Sequence, residues 1–70
     1  MKDKDLFKTI GANITKYRKA KGYTVQALAD ECDMEKSNLI PIEKGRRNTT
    51  LGTLNKIAKA LDVEVIMLFK

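Results

Sequence analysis

The chain has no histidine and a single cysteine, Cys32, among its 70 residues. With so few of those side chains, neither a disulfide framework nor a Cys/His zinc site can be assembled within one chain. General acid–base catalysis loses its commonest group, and no paired carboxylates or glycine-rich phosphate loop take its place. GRRNTT, residues 45–50, holds one glycine and is no Walker loop. These absences argue against an enzyme, a metal and a cofactor. Cys32 then reads as a small buried hydrophobe, the usual role of a free cysteine.

Long apolar runs are missing as well. The longest, VIMLF from Val65 to Phe69, is far too short to span a bilayer. The opening MKDKDLFKTI lacks the apolar core of a signal peptide. The expected location is cytoplasmic, with no membrane partner. Repeats, low-complexity tracts and linkers are absent, so residues 1–70 read as one domain near the lower size limit for folding without a staple. Dimerisation would add to so small a core.

What is present is positive charge and helical periodicity. Fourteen Lys and Arg against nine Asp and Glu leave +5. The excess sits in the second half: residues 1–35 carry seven bases and six acids, residues 36–70 seven bases and three acids. A basic domain suits a polyanionic partner. Leu6, Phe7, Ile10, Ile14 and Tyr17 recur at threes and fours, one stripe of an amphipathic helix that Gly22 ends. Thr24 suits the N-cap of a second helix, with Val25, Leu28, Ala29 and Cys32 facing inward. Asp33 falls where a tight turn needs positive φ. A third segment runs from Glu35 through Ile42 and stops before Gly45. Thr49 or Thr50 caps a fourth, with Leu51, Leu54, Ile57, Ala58 and Leu61 inward. A last short element runs to Phe69. Five short helices with brief connections make an all-α domain.

Thr24–Glu31, a turn at Cys32–Met34 and Glu35–Ile42 have the layout of a unit whose second helix enters a DNA major groove. The motifs IGANITKYRKAKGYT, LAD at Leu28–Asp30, LIPIEKGRRNTT and LGTLNKIAKALDV, in this order, resemble the phage repressor and Cro-type, or Xre-like, helix-turn-helix family. The resemblance covers about residues 9–69, with the helix-turn-helix at about 24–42. It implies a compact five-helix, lambda-repressor-like DNA-binding domain. Arg18 and Glu43 match a partly buried ion pair between the first and recognition helices. Lys36 and Ser37 match positions that reach base edges, Asn38 is a third candidate that faces either a base or the DNA backbone, and Pro41 matches one that faces DNA. Lys44, Arg46, Arg47 and Asn48 match a loop that grips phosphate.

Three residues depart from the family pattern. Val25 stands where a phosphate-anchoring glutamine is usual, leaving Gln26 one step off as the candidate phosphate contact. Glu35 opens the recognition helix in place of a small hydroxyl residue. A carboxylate there favours the helix dipole yet repels phosphate, unless it accepts from a cytosine amine. Pro41, the one proline, interrupts the recognition helix, costs about 3 kcal/mol in a helix interior, and biases Ile40 away from α geometry. The expectation is a recognition helix kinked or shortened near Ile40.

The resemblance implies a sequence-specific transcriptional regulator, most often a repressor, binding a near-palindromic site on double-stranded DNA as a homodimer. The alternative is an antitoxin-type or other protein-interaction module on the same fold, with a toxin or another regulator as partner; Val25, Glu35 and Pro41 favour it. Five consecutive apolar residues close the chain, and one helix face cannot bury them all. Leu68 and Phe69 match core-closing positions, which leaves Ile66 and Met67 for a dimer interface. A short strand, or Ile66 filling a gap under the first helix, would also account for the run.

Overall fold

The stripe beginning at Leu6 builds the first helix, α1, Asp3–Ala20, in a computed structural model that describes residues 3–70. Then follow α2 (Val25–Glu31), α3 (Lys36–Glu43), α4 (Leu51–Leu61) and a 3-10 segment (Val65–Phe69). No strand occurs among the described residues. The class is all-α, with four α-helices and a 3-10 ending in place of five helices. Ile10 and Ile14 from α1 meet Leu28 of α2, Leu39 and Ile42 of α3, Leu54, Ile57 and Leu61 of α4, and Leu68. Ile14, Leu28, Leu39, Ile57 and Leu68 are fully enclosed, each contributing about 1.5–3 kcal/mol through burial.

Threonines start two of the helices. Thr24 Oγ1 accepts from Ala27 N at 3.0 Å and Thr50 Oγ1 from Thr53 N at 3.1 Å, each worth about 1 kcal/mol against alanine. The four α-helices also share one kind of ending. An N–H reaches back five residues in each: Tyr23 to Arg18 O, Met34 to Ala29 O, Arg46 to Pro41 O and Val63 to Ala58 O, all at 2.9–3.1 Å. This closure needs one left-handed residue just before the donor. Gly22, Asp33, Gly45 and Asp62 supply it, with φ between 56° and 76°. Asp33 is thus the sharp corner between α2 and α3. Gly45 is required twice over, since a Cβ there would also lie 2.7 Å from Lys8 Cα.

The 3-10 segment packs on α1 and α4, where Asn13 Nδ2 donates to Leu68 O at 2.9 Å. Cys32 is buried in the core. Burial, helped by nearby Glu31, pushes its thiol pKa up, which keeps it in the unreactive protonated form. No described helix is long and apolar enough to cross a membrane.

Candidate nucleic-acid interface

Leu39 and Ile42 anchor one side of α3 in the core. Four-residue spacing then places Ser37 and Pro41 together on the opposite, outward side, with the capping Lys44 beyond them. Lys36, Ser37, Asn38 and Lys44 are exposed, and Ile40 and Pro41 are half-buried. Helix α3 also begins without side-chain help, since Glu35 at its N-cap makes no capping hydrogen bond.

The expected shortening near Ile40 does not occur. Helix α3 runs on through Pro41 to Glu43. Proline removes the N–H that would have reached Ser37 O, and its ring crowds that same carbonyl; Ser37 is exposed, so the carbonyl can tilt outward and bond to water. Pro41's own carbonyl accepts from Arg46 N at 2.9 Å in the helix closure. Buried Ile42 and the anchored Glu43 lie beyond the proline and hold the last turn. Tertiary packing overrides local propensity here.

The anchor is a small polar cluster between α1 and α3. Arg18 Nε lies 2.9 Å from Glu43 Oε2 and 3.1 Å from Oε1. Their side chains are only 11% and 7% exposed, so the pair works at lower dielectric than a surface bridge. Arg18 Nη1 donates to Tyr23 O at 2.9 Å, tying the guanidinium to the chain that leads into α2. Thr15 Oγ1 is 2.8 Å from Glu43 Oε1 and 3.0 Å from Gly11 O; its single proton serves one of them at a time. Sequence reasoning missed Thr15 and Tyr23. Their partners are distant in the chain or are backbone atoms, and no residue pattern marks them.

The 44–50 loop places Lys44, Arg46, Arg47 and Asn48 at the surface. Arg47 Nη1 donates to Asn38 Oδ1 at 3.1 Å, bringing a loop cation against α3. Asn38 is correspondingly turned toward the loop. Gln26 is exposed, but its amide donates to Asp30 Oδ1 at 2.9 Å. It would have to release that carboxylate to hold a phosphate. Val25 and Ile40 instead line a cleft of about 410 Å³ with Thr15, Arg18, Glu43 and Lys44. Elsewhere on the surface, Ile66 is 58% exposed while Met67 is half-buried and Leu68 enclosed. Among the described residues no group of three or more Cys, Asp or Glu side chains gathers as a metal site.

This arrangement matches known proteins over most of its length. The helix-turn-helix family model covers residues 14–68. The HTH-type transcriptional regulator SlrR of Bacillus subtilis is 43% identical over 61 residues, which make up 86% of this chain and 40% of SlrR. The restriction–modification controller protein C.AhdI of Aeromonas hydrophila superimposes with a TM-score of 0.86 at 33% identity, over 90% of this chain and 96% of that one. SinR, a master regulator for biofilm formation solved in complex with DNA, gives 0.83 at 39% identity, over 87% and 98% of the two chains. None of the three is named as an enzyme.

Proposed function

The chain belongs to the helix-turn-helix family, and from that premise we propose that its 70 residues act as one cytoplasmic domain binding double-stranded DNA sequence-specifically to regulate transcription. The observation that carries this reading is the exposed polar and cationic edge of α3 continued by Lys44, Arg46 and Arg47. Helix α3 enters the major groove with Lys36 and Ser37 toward base edges, and the loop cations hold phosphates on either side. Asn38 works with Arg47, and Gln26 joins by exchanging Asp30 for a phosphate. The regulator acts as a repressor at a near-palindromic site, which a two-fold dimer matches by symmetry. SlrR is more than twice as long as the matched segment, so the effect on transcription is part of the proposal. Incubation with a pool of random genomic fragments, followed by sequencing of those retained, tests it. Retention without a common sequence would refute specific recognition.

Binding should be steep in salt and depend on the loop. Arg46→Ala and Arg47→Ala should weaken all sequences alike and flatten the slope of log K against log salt by about one unit each. An unchanged slope would make 44–50 a merely solvated turn.

The dimer contact is assigned to Ile66 and Met67. Ile66 stands out in water from a segment whose neighbour Leu68 is enclosed, and an isologous contact would cover it. Ile66→Glu with Met67→Glu should yield a folded monomer with much weaker operator binding. Sedimentation that still finds a dimer would move the interface elsewhere. Loss of helical signal would assign both residues to the core.

A further inference from the structure

We infer that Pro41 makes this protein a reader of a thymine methyl group: one base pair in each bound half-site carries thymine because Pro41, flanked by Ile40, faces its C5 methyl. The inference rests on the DNA-binding reading above and concerns specificity within it.

The exposed polar residues of α3 are Lys36, Ser37 and Asn38. Each can exchange hydrogen bonds with a base edge. Pro41 cannot. Its ring carries no donor or acceptor, yet it shares the outward side of α3 with Ser37 and Lys44, one turn on from the serine. Ile40, also half-buried, extends the apolar surface toward Val25 across the α2–α3 cleft. A base edge pressed against this surface loses water from whatever polar atoms it presents and gains no bond in return. In the major groove each base offers polar atoms, and thymine alone adds an apolar group, its C5 methyl. The occupant is DNA and not an apolar peptide because cations surround the patch. Lys36 precedes it on α3, while Lys44, Arg46 and Arg47 follow it, all exposed. An apolar step within a cationic edge is what a methyl-bearing base in a phosphate-lined groove complements.

Uracil differs from thymine only by that methyl, which makes the test direct. Each thymine of the sequence retained from the genomic pool is replaced by uracil, one at a time, and the Kd measured by fluorescence anisotropy. At one symmetry-related position the Kd should rise about three- to fivefold, the effect of one buried methyl. There, 5-methylcytosine should bind better than cytosine. Pro41→Ser should remove the uracil penalty at that position alone, with helical content checked by circular dichroism. Pro41→Gln should shift its preference toward adenine, whose N6 and N7 pair with an amide. Specific binding with no uracil-sensitive position, or a penalty unchanged in Pro41→Ser, overturns the inference and leaves the regulator reading standing. If no DNA is retained, both fall together, and the apolar step belongs to a protein contact instead.

Discussion

Glu43→Ala should destabilise the domain by about 3–5 kcal/mol, the usual result of leaving one partner of a buried ion pair alone. The wild-type carboxylate receives Arg18 Nε on both oxygens and Thr15 Oγ1 on one. Alanine leaves the Arg18 guanidinium, 11% exposed, with the Tyr23 carbonyl as its remaining partner. A small domain has total stability near the lower end of about 5–15 kcal/mol, so much of the variant should be unfolded at 37 °C. Urea unfolding gives the number directly. Glu43→Gln should fall between, since its one carbonyl oxygen can still accept from Arg18 while its NH₂ faces a cation. The double variant Arg18→Met, Glu43→Leu should recover most of the loss, because two apolar side chains strand no charge. A cost below about 1 kcal/mol for Glu43→Ala would rank the pair with ordinary surface bridges. The same cluster fixes the far end of α3 against α1.

Most of the helical framework is legible in the residues. The α1 and α4 stripes, the Thr24 cap and the Asp33 corner follow from periodicity, side-chain oxygens and tolerance of positive φ, except that Leu51, expected to face inward, starts α4 69% exposed. What escapes such reading depends on contacts distant in the chain. Pro41 looks like a breaker because propensity is local, whereas Ile42 and Glu43 are held from α1 and the core. The closing VIMLF lacks any period, and only its seat against α1 and α4, with the Asn13–Leu68 bond, decides that it coils as a 3-10 segment. The pairing of Arg18 with Glu43 is implied by family resemblance alone, since no spacing rule joins residues 25 apart. Gln26 shows the limit in the candidate site. Its position suggests a phosphate contact, but a carboxylate one turn along the same helix holds its amide.

Gly11 carries the second large effect, one that helix propensity predicts with the wrong sign. Alanine is better than glycine in a helix interior by about 1 kcal/mol, so Gly11→Ala within α1 should stabilise if nothing lay nearby. Gly11 is buried where α1 crosses the end of α3. A Cβ there would stand 2.6 Å from Ile42 O and 2.8 Å from Glu43 C, and would overlap Glu43 O. All three are backbone atoms, so no side chain can rotate away and the helices must part. Overpacking of this kind costs about 1–3 kcal/mol, occasionally more. The shift would also pull Glu43 away from Thr15 and Arg18, adding part of the ion-pair loss. Gly11→Ala should therefore be destabilising by about 2 kcal/mol or more after the propensity gain is subtracted. Gly52→Ala is the internal control. It too lies within a helix, α4, but is exposed, and its Cβ would meet only Thr50 Oγ1 at an ordinary 3.8 Å. Because Gly52 lies in the first turn of α4, that variant should gain only up to about 0.5 kcal/mol, less than the helix-interior value. Thermal melts of the two should move in opposite directions from wild type. If Gly11→Ala melts higher, the close approach of α1 to α3 is not what holds the recognition helix in place.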